Sequence, residues 1–432
     1  MTWKMESISD LCIFAIDCVN KTAPVVDYET PYKMIRTTNV KGGFIDLDTV
    51  RYVEEETFLK WTRRSKPQYG DVIFTREAPV GDVGRFTSKD PNVFLGQRLF
   101  HYRPNPELLD WRYLAYVLQS EAIQGWVHGI AFGATVPHIK VADAENLKIP
   151  CPPISIQRKI GVVLSAYDDL IENNLERVKL LEEMAQITYG EWFVRMKFPG
   201  YEEVELDLET GLPIGWKTQT LRELTSYINR GVAPKYVESE GFPVINQKCI
   251  RGHLVNFTES RLTVSDHKVP KDKLLQSLDI LVNSTGTGTL GRVAQLFDCP
   301  DKATVDTHVT IVRPSGDVSA YWLGRSLEAI EPFIVNLGKG ATNQQELGRN
   351  DLADIVKLNT PTEDLMARFD DFARPIFETI TNLLNQNGLL KEARDILLPR
   401  LMTGMIDIDK VELPAALLER INKQKNNETN IG

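Results

Sequence analysis

Gly286-Thr-Gly288-Thr-Leu-Gly291 has the G-x-G-x-x-G spacing that lets a backbone approach a pyrophosphate. It follows an apolar run, as a dinucleotide site would. The next residues, Arg292-Val-Ala-Gln-Leu-Phe, read as another strand, so no helix opens there to hold an anion. The run is expected to be a β-turn. No G-x-x-x-x-G-K-[ST] offers an ATP-binding loop, and no N-P-P-[YF] or D-P-P-Y offers the aromatic pocket that amino-methyltransferases close on a flipped base. G-x-S-x-G and H-E-x-x-H are absent, and the D-x-K triplet Asp266-His-Lys268 lacks a matching acidic partner. Five cysteines, an odd number with no C-x-x-C, argue against a zinc knuckle or disulfide framework and fit a reducing cytoplasm. No catalytic residue and no metal ligand is expected.

What remains is an inventory for recognition. Lys60-Trp61-Thr-Arg63-Arg64-Ser-Lys66 places four cations around an aromatic before a Pro/Gly turn. Such groups suit phosphates, and arginine also reads guanine in the major groove. Arg76 and Arg98 join the candidates in this half. The other half carries Arg230-Gly-Val-Ala-Pro-Lys235, Asn246-Gln-Lys248-Cys-Ile-Arg251, Lys268, Lys271, Lys273 and Lys339-Gly-Ala-Thr-Asn343-Gln344-Gln345. Amides beside cations can read adenine edges while gripping a backbone. Each residue also fits an ordinary solvated surface. His308, in an expected strand over Val305–Val312, fits a structural histidine as well as a contact.

The net charge of −9 is unevenly spread. Residues 1–150 hold 18 basic against 19 acidic side chains, and residues 216–360 hold 17 against 16. Tyr201–Gly215 holds 0 against 5, and residues 361–432 hold 9 against 12. The two large segments can therefore present basic faces, although tight non-specific phosphate binding by this chain alone is disfavoured.

An internal repeat with a period near 208 residues must position these groups. Trp3 and Leu11 return as Trp216 and Leu224; Met34-Ile-Arg returns as Val244-Ile-Asn. Asp71-Val-Ile-Phe with Gly81-Asp-Val-Gly-Arg returns as Asp279-Ile-Leu-Val with Gly288-Thr-Leu-Gly-Arg. Gln97-Arg-Leu-Phe-His-Tyr-Arg-Pro returns as Thr307-His-Val-Thr-Ile-Val-Arg-Pro, and Gly133-Ala-Thr as Gly340-Ala-Thr. Each copy begins with short β-rich runs and one helix, Trp111–Gln119 or Ala320–Ala329.

Each copy ends in a long helical pattern. In the first, Leu164, Tyr167, Ile171, Asn174, Val178, Leu181, Ala185 and Thr188 alternate spacings of three and four, a heptad seam. In the second, Leu365, Phe369, Phe372, Ile376, Leu383, Asn387, Leu390, Leu397 and Leu401 follow the same rule with gaps, and Pro375 is placed to kink it. Helices of this length are rods of roughly 60 Å. Their seams predict an antiparallel pair about a pseudo-two-fold axis, with a globular domain at each end.

The expected fold is α+β (mixed α/β): two similar β-rich recognition domains joined by two long helices pairing as an antiparallel coiled coil. The domains fall at 1–150 and 216–359, the helices at 151–197 and 360–406, an acidic linker at 198–215 and a polar tail at 407–432. No apolar run reaches the roughly eighteen residues of a membrane span, and the first residues do not resemble a signal peptide.

Several motifs together resemble the specificity subunit of type I restriction–modification systems. Cys151-Pro-Pro-Ile-Ser-Ile-Gln157-Arg-Lys-Ile160 resembles that family's helix entrance. Tyr189-Gly-Glu-Trp192-Phe193 through Phe198-Pro199-Gly200 resembles the exit from its first helix. Gly211-Leu-Pro213-Ile-Gly215-Trp216 resembles the start of its second recognition domain, and Leu397-Leu-Pro-Arg-Leu401-Met-Thr-Gly404-Met-Ile406 its C-terminal end. The second helix entrance, Thr360-Pro361-Thr-Glu-Asp-Leu-Met366, departs from the pattern in lacking the second proline and the glutamine. The resemblance implies a non-catalytic subunit in the cytoplasm. Each domain would read one half of a split, asymmetric site on double-stranded DNA, and the helices would set the gap. Two modification (methyltransferase) subunits would dock on the helical regions and bind S-adenosylmethionine. Restriction (motor-nuclease) subunits would bring ATP and Mg; this chain itself would bind no cofactor. Two other readings stay open: a stand-alone DNA-binding adaptor, and a coiled-coil scaffold that binds only protein.

Overall fold

The computed structural model describes residues 3–133, 136–340 and 345–429. Two compact units divide the chain: Met1–Asn173 with Asn387–Gly432, and Asn174–Gln386.

In the first unit Asp71–Arg76 pairs antiparallel with Val80–Phe86 and with Leu99–Pro104, which pairs in turn with Cys12–Asp17. The run Asp71-Val-Ile-Phe-Thr is buried throughout because both faces of the sheet are covered. Val72, Phe74 and Tyr102 pack toward the helix Trp111–Gln119, while Ile73 and Leu99 join Ile35, Val40 and Val93 on the other side. Asp110 caps that helix, accepting from the amides of Arg112 and Tyr113. Lys4–Ser7 pairs with Lys148–Cys151, Lys4 opposite Cys151, so both ends of the β-rich region leave side by side.

The second unit repeats the plan. Its sheet runs Thr225–Arg230, Val309–Pro314, Ile280–Asn283, Val293–Gln295. Ser319 caps the helix Ala320–Ala329 as Asp110 caps its counterpart. Lys217–Thr220 pairs with Lys357–Thr360, closing this region as the first is closed. The expected single strand over Val305–Val312 is two, Thr304–Val305 and Val309–Pro314, with His308 in the turn between them. Asp306 makes that break, its carboxylate accepting the His308 amide at 2.8 Å. The glycine-rich run joins two strands as a turn. Gly291 (φ +81°) sits where a Cβ would meet the Val335 backbone at 2.8 Å.

The first long helix spans Ile154–Tyr189 and ends in a π turn, Gly190–Val194. The second spans Glu363–Met402 and continues through Pro375. Within the first unit their shared stretches run antiparallel: Asp168 meets Arg394 at 2.5 Å and the Ile171 carbonyl accepts from Asn387 at 3.4 Å. Leu164 is buried and Tyr167, Ile171, Leu390 and Leu397 are half-buried; in the second unit Asn174, Val178, Ile376 and Leu383 are buried and Leu181 and Phe372 half-buried. The gaps in the second pattern hold Ile380, which is fully buried, and Arg394. The latter belongs to a sealed polar layer: Asp168, 1% exposed, also accepts from Arg85 at 2.9 Å and from the Tyr116 hydroxyl.

The motif residues are mostly structural. Gln157, fully buried, donates to the carbonyls of Pro152 (2.8 Å) and Leu108 (3.1 Å) and accepts from the Asp110 amide (3.0 Å), stapling the helix entrance to the cap of Trp111–Gln119. Phe193 packs edge-on against Phe369 with centroids 5.1 Å apart, and Phe198 stacks on Trp216 at 5.9 Å. The acidic linker is thus anchored at both ends. The tail expected to be polar is folded: Ala415–Thr429 is helical, and Ile408, Leu413 and Ile421 are buried in the first unit's core. Leu417 and Ile421 share one face of that helix, Leu413 packs from just before it, and the ion pairs Lys159–Asp409 (2.6 Å) and Arg420–Asp169 (2.7 Å) fasten the segment.

In the second unit Glu182, on the first long helix, lies near the buried pair Arg325–Glu328. Burial pushes the Glu182 carboxyl up to about 7, with Arg325 opposing the shift. An unfolded glutamate titrates near ~4.3. Between these values the folded state binds more protons than the unfolded state, so this group's contribution to stability falls as pH rises through that window. Glu182→Gln is therefore expected to raise the thermal midpoint relative to the parent at pH 8 and to flatten its decline from pH 5. Equal slopes for the two proteins would refute this.

Candidate nucleic-acid interface

Three strand ends meet at one edge of the first unit's sheet, because neighbouring strands alternate in direction. Asp17 ends Cys12–Asp17, Arg76 ends Asp71–Arg76, and Arg98 precedes Leu99–Pro104. The turn Thr37–Asn39 joins them, with the Thr37 hydroxyl donating to the Ala78 carbonyl at 2.7 Å. A loop completes the edge: His138 bridges both Glu77 and Phe132.

The second unit builds the same edge at matching positions. Arg230 ends Thr225–Arg230, Ser284 and Thr285 follow Ile280–Asn283, and His308 precedes Val309–Pro314. The turn Gln247–Cys249 is tied in by Asn283, which donates to the Gln247 carbonyl at 3.1 Å. Glu346 bridges both Thr285 and Lys339, as His138 bridges Glu77 and Phe132. The scaffold is shared and its polar residues differ: Asp17 answers Arg230, Glu77 answers Thr285, Arg98 answers His308, and His138 answers Glu346.

A clamp that sequence reasoning missed, at the opposite ends of the same strands, holds a basic loop in each unit. Arg103 donates to both oxygens of Asp71 at 2.9 and 2.8 Å, and His101 meets Asp71 at 2.6 Å. Arg313 grips Asp279 the same way at 2.7 and 2.8 Å. Each arginine also donates to a loop carbonyl at 2.9 Å, Lys66 in one unit and Leu274 in the other. Burial alone would raise the Asp71 carboxyl, but the hydrogen bonds from Arg103 and His101 hold it below its usual value. The available signal was that both copies keep an acid at the start of one aligned run and an Arg-Pro at the end of another.

The candidates from the sequence fall into distinct settings. Lys60, near the end of the helix Glu55–Trp61, and Arg63, Arg64 and Lys66, on the clamped loop that follows, are exposed, with the Lys66 ammonium 5.2 Å from the Phe58 ring. Arg64 reaches the Asp17 carbonyl (3.4 Å) and Lys273 the Gly231 carbonyl (2.8 Å), so both basic loops border their edges. Lys235, Lys248 and Arg251 are exposed. Lys339 is tethered to Asp351 at 2.7 Å but remains 71% exposed. Arg230 is held by Glu346 and by the Leu347 carbonyl at 2.7 Å. Arg76 is committed inward: it pairs with Asp17 at 2.9 Å, both side chains nearly buried, and donates to the Ile139 carbonyl at 2.9 Å. Asn246 caps its own turn, accepting from the Lys248 amide at 2.8 Å and donating to the Glu259 carbonyl at 3.1 Å. Asn343 and Gln344 lie outside the described residues. Among the described residues no group of His, Cys, Asp and Glu is arranged to hold a metal ion, and no helix is long and apolar enough to cross a membrane.

Residues 2–183 match the model of the type I restriction modification DNA specificity domain. The chain is 26% identical over 372 residues to the type I restriction enzyme MjaIX specificity subunit of Methanocaldococcus jannaschii, covering 84% of this chain and 83% of that one. It is 23% identical over 406 residues to the type I restriction enzyme HindI specificity subunit of Haemophilus influenzae, covering 78% and 86%. Its fold is similar to the crystal structure of a type I restriction-modification system S subunit from M. genitalium, with a TM-score of 0.54 and 18% identity over 92% of this chain and 96% of that one. Residues 2–183 thus carry the specificity-domain pattern, and the chain is similar over most of its length to type I restriction enzyme specificity subunits.

Proposed function

We propose that each unit reads one half of a bipartite, asymmetric site on double-stranded DNA through its strand-end edge. The chain is the DNA-recognition subunit of its system and is non-catalytic. One observation carries the finer reading: a single scaffold is built twice, and its edge positions carry different side chains. Shared scaffolding with unlike readers suits two unlike half-sites. The bordering basic loops supply phosphate contacts, which position a protein on the duplex without specifying sequence.

The long helices set the gap between the half-sites and dock two modification subunits. Support comes from the solvent face of the first long helix in the second unit. Leu180 (57% exposed), Met184 and Ile187 (58%) are spaced four and three residues apart and form an apolar stripe. S-adenosylmethionine belongs on the modification subunits, and ATP and Mg on restriction subunits; the assembly works in the cytoplasm. A docked partner also shares in neutralising phosphate, which reconciles DNA binding with the net charge of −9.

The test is to express the chain with a modification subunit and map N6-methyladenine across the host DNA. Two unlike half-sites separated by a fixed unspecific gap are expected. A stable complex that leaves no such motif would refute the reading.

A further inference from the structure

We propose that Arg98 and His308 are the paired specificity-determining side chains of the two units. On this proposal Arg98 reads a guanine, and His308 a single hydrogen-bond acceptor on a base edge. The inference rests on the DNA-recognition reading above and goes beyond it by assigning base contacts.

Both residues stand at the same place, immediately before the central strands Leu99–Pro104 and Val309–Pro314. Each is held by the residue that follows the neighbouring strand end. In the first unit Glu77 meets the Arg98 guanidinium at 3.4 Å. In the second the Thr285 hydroxyl meets His308 Nδ1 at 2.7 Å. The place in the sheet and the support are therefore matched, and the side-chain chemistry differs.

Magnitudes separate Arg98 from the other arginine at this edge. Arg76 and Asp17 are 11% and 13% exposed and lie 2.9 Å apart, so withdrawing Arg76 would strand a buried charge. Arg98 and Glu77 are 41% and 29% exposed, and a half-exposed pair at 3.4 Å is only weakly held. Glu77 can therefore orient the guanidinium without withholding it. Arg98 is also a non-glycine residue with φ +70°, a left-handed conformation that costs free energy and clusters at functional sites. Its planar fork matches guanine O6 and N7 in the major groove.

His308 offers less. In the tautomer in which the Thr285 hydroxyl donates to Nδ1, the imidazole presents one donor, Nε2–H. One donor satisfies guanine O6 or N7, adenine N7 or thymine O4 alike. The base read by Arg98 is thus expected to be unique and the base read by His308 degenerate.

The test selects bound sequences from a randomised duplex library, using the full chain assembled with a modification subunit. Arg98→Asn keeps a residue that tolerates the left-handed conformation while removing the guanidinium fork. Its complex is expected to lose guanine preference at one base pair of one half-site, by about tenfold to a hundredfold. The other half-site should be unchanged. The double variant Thr285→Glu/His308→Arg is expected to convert the degenerate position of the other half-site to guanine. Arg63→Ala, on the bordering loop, is expected to weaken all sequences alike. A parental motif that survives both the Arg98 and the His308 variants unaltered overturns this inference alone. A parental complex that selects no split motif overturns the recognition reading, and this inference with it.

Discussion

Asp168→Ala is expected to destabilise the first unit by about 3–5 kcal/mol, the usual cost of removing one partner from a buried ion pair. Asp168 is 1% exposed and pairs with Arg85, which is 5% exposed. It also pairs with Arg394, 11% exposed, and accepts from Tyr116. Without it Arg85 stays buried, loses its ion-pair partner and is left with the weaker, longer-range attraction of Glu172. Arg394 keeps the exposed Asp395 at 2.8 Å, a weaker partner facing solvent. Arg394 also fills a gap in the second helix's apolar seam, so loss of the layer removes a register marker. Denaturant unfolding of the parent and variant reads the effect directly. A loss below about 1 kcal/mol would show that the arginines find other partners or water. Phe and Tyr rings stack on the Arg85 guanidinium at 5.1 and 5.4 Å, but cation–π contacts of about 2 kcal/mol do not replace a carboxylate.

Exchanging residues 3–151 for the matching segment of another specificity subunit is expected to replace one half-site entirely and leave the other intact. Binding to the original site should fall by about a thousandfold or more, since several mismatched base pairs each cost roughly 1–3 kcal/mol. The structural warrant is the pairing of Lys4–Ser7 with Lys148–Cys151. The segment enters and leaves on adjacent strands, so a replacement with the same closing pair meets the helix entrance at Pro152 unchanged. Lys217–Thr220 and Lys357–Thr360 make the second region exchangeable by the same argument. Mapping methylated sites before and after the exchange checks the prediction. A change in both half-sites would defeat it.

Much of this organisation was legible because it was written twice. The acids Asp71 and Asp279, the Arg-Pro pairs and the helix seams stood in the same order at nearly one offset. The fold class and the two long helices follow from that repetition and from heptad spacing. The site was less legible, because exposure and partnership are tertiary properties. Arg76 and Arg98 look alike in sequence, yet one is sealed against Asp17 and the other is half-exposed. Asn246 has the chemistry of a base reader and spends it on its own turn. The Asp71–Arg103 clamp joins residues thirty-two apart, beyond any local pattern. The folded C-terminal segment was hidden by its polar composition, although Leu417 and Ile421, four residues apart, mark one helical face.

That segment bears on the order of events during synthesis. The first unit's core includes Leu401, Met402, Ile408, Leu413 and Ile421, and Lys159 bonds Asp409 across 250 positions. The second unit lies wholly within residues 174–386. A ribosome therefore releases every residue of the second unit before it supplies the last core residues of the first. Contacts of such sequence separation form slowly, and an incomplete apolar core is a target for chaperones and for aggregation until they form. The unit whose translation begins first is the one completed last.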